Sequence, residues 1–169
     1  ALMTELAVRV SRDHISPTKA SRLYAYVASA MFLATTDAED DLRKQMNVSP
    51  IVANHDGAIN PLVAALAAGS SVARNLFPVP AAKSTFGERR DQILQSVSRE
   101  LPSADVAASI AIGLAVSDAV VARAKTDGFE EAKTMMNKLK SSKIDKALFS
   151  GARINIAERY CAKTIIGML

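Results

Sequence analysis

The sequence predicts an all-α protein: one domain over residues 1–169, built as a compact bundle of six to seven helices. Three observations carry this. Apolar residues recur at three- and four-residue spacing through most of the chain. Helix start and stop signals punctuate it repeatedly. No segment shows the two-residue alternation, bounded by hairpin turns, that marks strands. Composition agrees, since 49% of the residues are apolar but only 5% aromatic, with no Trp, so Ala, Leu, Val and Ile must fill the core. Ala is also the strongest helix former. A chain of this length buries roughly 70% of its unfolded surface, enough to fold without disulfides or a structural metal.

The elements follow in order. Ser16-Pro17 opens a helix, with the hydroxyl as N-cap and Pro in the first turn, where a missing N–H costs nothing. Ala20, Leu23, Tyr24, Val27, Met31 and Ala34 then form one apolar face. The acidic run at 37–41 allows a short helix to Met46, and Asn47 to Asn60 reads as loop. Asn60-Pro61 repeats the start signal before Leu62 to Phe77, uncharged until Arg74 and apolar almost all round, the pattern of a central buried helix. Pro78 and Pro80 end it. Thr85 and Glu88 have capping-box spacing and place a helix start there, with Ile93, Leu94, Val97 and Leu101 inward. Ser103 caps a long helix, Ala104 to Asp127, stopped by Gly128. Further helices are expected at 130–140 and 152–167.

Composition excludes several functions. The 17 residues from Gly57 to Ala73 are the longest uncharged stretch. They include Asn60, Pro61 and Gly69 and fall short of the roughly 20 apolar residues of a span, so no transmembrane segment is expected. The first twelve residues carry Glu5, Arg9 and Arg12 and do not read as a signal peptide. The lone Cys161 reads as a small core residue. Only two histidines occur, and without paired Cys/His spacing a zinc site is not expected. His55-Asp56 reads as a polar turn. Asp37, Glu39, Asp40 and Asp41 lack the pattern of a calcium loop and suit a helix N-terminus. Neither a phosphate-cradling glycine loop nor a nucleophile elbow is present.

Charge is uneven. Residues 1–128 hold 13 basic and 13 acidic residues, and residues 129–169 hold 8 and 4, so the net +4 lies in the last quarter. Lys133, Lys138, Lys140, Lys143 and Lys146 cluster there. Without interleaved aromatics or a DNA-reading motif, they read as a solvated face in preference to a nucleic-acid or membrane-surface site.

Two segments resemble a known family. Ser16-Pro17-Thr18-Lys19-Ala20-Ser21-Arg22-Leu23-Tyr24-Ala25-Tyr26-Val27-Ala28-Ser29-Ala30-Met31-Phe32 resembles an early helix of bacterial vanadium-dependent haloperoxidase-like proteins, in the type 2 phosphatidic-acid phosphatase superfamily. Gly113-Leu114-Ala115-Val116-Ser117-Asp118-Ala119-Val120, continuing to Thr126-Asp127-Gly128, resembles that family's Gly-x-Ala-Val-x-Asp-Ala-Ile helix and its Thr/Asn-Asp-Gly end. Order and separation fit as well, although Leu33 stands where the first pattern has Asp. The resemblance covers residues 1–128. It implies a helical N-terminal half, export, and a vanadate or phosphate site built from three motifs: a Lys with a later Arg-Pro, a Pro-Ser-Gly-His, and a Ser-Arg with His and Asp beyond. None of these occurs in the chain. No catalytic, cofactor-binding or metal-ligating residue is therefore assigned, and vanadate or phosphate enters only if those motifs are supplied elsewhere.

The resulting expectation is a non-catalytic helical portion of such a protein, partnered by a catalytic helical bundle of the same parent. The alternative is a free-standing helical module that pairs with a second copy of itself. Binding of nucleic acid or a membrane surface through the basic residues 129–169 ranks third. Far-ultraviolet circular dichroism should be dominated by helix, and more than one β-hairpin would contradict the periodicity argument. Leu66 and Ile110 are expected in the core, where truncation to Ala costs about 2–5 kcal/mol.

Overall fold

The computed structural model describes residues 2–35, 44, 57–97 and 99–141. Among these the protein is all-α, with no strand. The helices are α1 (Leu2–Arg12), α2 (Pro17–Thr35), α3 (Pro61–Leu76), α4 (Pro80–Val97), α5 (Ser103–Lys125) and α6 (Phe129–Ser141). Only residues 126–128 separate α5 from α6. Counted by length as one 36-residue run, Ser103–Lys138, they leave five helical rods among the described residues where six to seven helices are expected. The expected helices at 37–46 and 152–167 lie outside the described residues, apart from Lys44. The chain divides into two compact units, Ala1–Ala122 and Arg123–Leu169.

In the first unit α3 is the centre. Val63 through Ser70, Val72 and Ala73 are all buried, so the helix is enclosed on nearly every side. Its start is fixed as the sequence predicts. Asn60 has extended backbone angles, and its side chain accepts from the N–H groups of Leu62 and Val63, satisfying two of the orphan donors of the first turn. Helices α2 and α4 are its principal neighbours, and α1 touches α2, α3 and α4. Ala20, Leu23, Val27 and Ala34 of α2 are buried as expected, Tyr24 and Met31 are only partly buried, and Tyr26, Ala30 and Leu33 complete the buried face.

Helix α1 and both ends of α4 differ from expectation: α4 stops at Val97, short of Leu101, and Ile93, Leu94, Val97 and Leu101, expected inward, are only partly buried. Helix α1 is an addition, made by Leu2 and Leu6 on one buried face and by the Glu5–Arg9 ion pair one turn apart. Helix α4 begins at Pro80, five residues before the apparent capping box. Pro at the first helical position is preorganised for a start, and Ala82 and Phe86 give the helix a buried face at once. Thr85 is therefore interior to α4. Its Oγ1 accepts from Arg9 Nη2 at 2.8 Å, tying α4 to α1. Helix α3 ends at Leu76, just before Pro78 as expected, but Pro80 opens α4 after three residues and the chain doubles back. Phe77 and Phe86 meet edge to face there, ring centroids 5.3 Å apart and inclined at 61°.

Helix α5 lies parallel to α3, as three register points establish. Gly57 sits against the backbone of Ala104 and Asp105. The Asn60 N–H donates to Ser109 Oγ at 2.8 Å. Gly113 faces Ala64, Ala67 and Ala68. The buried face of α5 runs through Ser109, Gly113, Val116, Ser117 and Val120. Leu66 is in the core at 6% exposure. Ile110 is only partly buried, which corrects the expectation of a core residue. An uncharged stretch hides the true facing direction, and the small Ser109 and Gly113 hold the seam while Ile110 lies about 100° round the helix from Ser109.

In the second unit the chain turns at 126–128. Gly128 has φ 79°, the left-handed conformation that glycine adopts without steric cost. Asp127 Oδ1 accepts from the Phe129 N–H at 3.0 Å and so caps α6.

Two glycines offer a paired test of this packing. A Cβ on Gly113 would meet the Ala64 carbonyl oxygen and the Ala67 Cβ, and the backbone N of Ala68 would be 3.0 Å away. Gly113→Ala should therefore destabilise the protein by about 1–3 kcal/mol in urea unfolding. A Cβ on Gly87 would have only the Arg74 side chain near, at 3.7–3.8 Å. Gly87→Ala should raise stability by about 0.5–1 kcal/mol, the usual gain of Ala over Gly inside a helix. Equal effects of the two substitutions would refute the α3–α5 register.

Candidate functional site

The residues that sequence reasoning singles out do not converge among the described residues. His14 is exposed at the corner between α1 and α2, with φ 50°. Histidine is among the few non-glycine residues enriched in that conformation. The backbone is anchored by the Asp13 N–H to the Arg9 carbonyl at 2.9 Å and the Ile15 N–H to the Val10 carbonyl at 3.0 Å. The corner accounts for His14 as a turn residue. His55, Asp37, Glu39, Asp40, Asp41, Lys143, Lys146 and Cys161 lie outside the described residues.

The guanidinium groups are dispersed. Arg9 pairs with Glu5 at 3.2 Å, Arg90 with Asp91 at 2.8 Å, and Arg89 donates to Gln92. Arg22 lies over the Tyr26 ring, 5.3 Å from its centroid, while the Ser21 hydroxyl returns to the Pro17 carbonyl. A phosphate or vanadate oxyanion needs several donors aimed at one point. These side chains are aimed at their own neighbours. No group of three or more His, Cys, Asp or Glu that could hold a metal ion occurs among the described residues.

In the basic region, Lys133 pairs with Glu130 at 2.9 Å across one turn of α6, both largely exposed. Such pairs contribute little to stability and leave a solvated face. Glu130, Glu131, Thr134, Met135 and Lys138 border an open hollow of about 440 Å³ beside this helix. Two of those five side chains are acidic, which does not suit a phosphate backbone.

Among the described residues three polar side chains are fully buried, Ser70 on α3 and Ser109 and Ser117 on α5. Ser109 is satisfied twice over, donating to the Asp105 carbonyl at 2.6 Å and accepting from the Asn60 N–H. Asp105 Oδ1 in turn accepts from the Ala58 N–H at 2.9 Å. Residues 57–60 are thus clasped to the first turns of α5, which sets where α3 begins. Ser70 donates to the Ala67 carbonyl at 3.2 Å. Ser117 Oγ has no hydrogen-bond partner. The clasp was invisible to motif reading, because its residue types are those of ordinary caps and their pairing spans 47 and 49 positions. The clasp positions helices, and its one carboxylate, Asp105, is engaged by the Ala58 N–H.

One helical run among the described residues, Ser103–Lys138, is long and apolar enough to cross a membrane by length and composition, with a mean hydropathy of 1.7 over its most apolar window. Asp118 is exposed on its outer face, where a carboxylate would be costly in lipid. The run's inner face already packs on α3 through Gly113.

The three serines give opposite expectations. Ser109→Ala leaves the Asn60 N–H without its acceptor and should cost about 1–3 kcal/mol. Ser117→Ala removes an unpaired buried hydroxyl and should raise stability by about 1 kcal/mol. Denaturant midpoints of the two variants check the contrast, and a loss at Ser117 like that at Ser109 would mean that its hydroxyl is bonded. Comparison with family models, with curated proteins and with solved structures finds no match to this chain.

Proposed function

We propose that this chain is the non-catalytic helical portion of a vanadium-haloperoxidase or acid-phosphatase-like protein, and that it acts by packing against and shaping a catalytic helical bundle supplied by the same parent. One observation carries the reading. Part of the pattern that bears the resemblance packs inside the helices, while Phe32, Leu114 and Asp118 of the same pattern are exposed. Ala20, Leu23, Val27 and Ala30 of the first segment lie on the buried face of α2. Gly113, Val116 and Val120 of the second lie on the buried face of α5, and the Asp127-Gly128 end makes the turn into α6. Apolar and small residues kept at helix contacts are what a shared scaffold requires. In this reading residues 1–169 form a single bundle of six to seven helices, the protein is exported, and the vanadate or phosphate ligands belong to the missing half.

A second reading, a self-associating helical module, is favoured by apolar side chains left in solvent: Leu62 is 62% and Leu114 38% exposed. A concentration-dependent molecular mass in sedimentation would support it over the first.

An antibody against this chain, used on cells that produce it, tests the main proposal. The expected result is a product clearly larger than 18.0 kDa whose peptides include the Arg-Pro, Pro-Ser-Gly-His and Ser-Arg…His motifs. A product of this mass alone would sink it. The isolated chain, given vanadate, peroxide and a halide acceptor, or a phosphomonoester, should show no turnover above background. Turnover abolished by His14→Ala or His55→Ala would overturn the non-catalytic reading.

A further inference from the structure

We draw no further inference here: the strongest candidate, the exposed outer face of α5 formed by Ala107, Ala111, Leu114 and Ala122, carries nothing because nothing in the structure shows what covers it.

Discussion

The first unit depends on how closely α5 approaches α3. Gly113 lies against the backbone of Ala64 and Ala68, a separation possible only because one partner has no side chain and the other presents Ala. That approach fixes the axial register of the two helices, and the register places Ser109 beside the Asn60 N–H. Asn60 is then held where its side chain can cap α3. One steric allowance therefore sets both the seam and the start of the central helix. A second close approach works similarly on another side of α3, where a Cβ on Gly69 would stand 2.5 Å from Met31 Cγ and 2.9 Å from Leu2 Cδ2. Helices α1 and α2 close over it. A core with so few aromatics gains its contact area by bringing backbones together in place of filling space with large side chains.

Much of this was legible in advance. Start and stop signals are local, so Asn60-Pro61, Ser16-Pro17 and Gly128 mark real boundaries, although the Ser16 hydroxyl, expected as an N-cap, faces the Thr18 hydroxyl at 3.4 Å. The all-round apolar pattern of 62–77 correctly identified the central helix. Errors arose where local signals compete or where facing direction matters. Thr85 and Glu88 have the spacing of a capping box, but Pro80 starts the helix earlier, and the Thr85 hydroxyl serves a partner 76 positions away. Ile110 was misplaced because hydrophobicity along α5 is nearly uniform, and only the position of Gly113 says which side meets α3. The Ser109 clasp could not be read at all, since hydrogen bonds to a distant N–H leave no mark in the spacing of neighbouring residues.

The functional reading rests on the same physics. Small residues at helix contacts form patterns that a scaffold must keep, whereas oxyanion chemistry needs convergent Arg, Lys and His side chains. Among the described residues the first are present in order, and of the second Arg9, Arg22, Arg89, Arg90 and Lys133 are turned toward local partners. In the described part of the basic region, Lys133 is engaged by Glu130 one turn away.

The parallel orientation of α3 and α5 has a consequence for what the chain tolerates. A helical hairpin makes antiparallel neighbours only, so a parallel pair needs a return segment between its members. Helix α4 is that return. Its 18 residues span about 27 Å at 1.5 Å per residue, close to the about 24 Å of the 16-residue α3. What the seam asks of α4 is mainly this matching of length. The clasp asks for specific atoms at Asn60, Asp105 and Ser109, but the return path asks for reach, and lengthening a flexible connection costs only about 0.6 kcal/mol per doubling. Residues 99–102, ahead of the second parallel helix, are therefore a place where added length leaves Asn60, Asp105 and Ser109 unchanged.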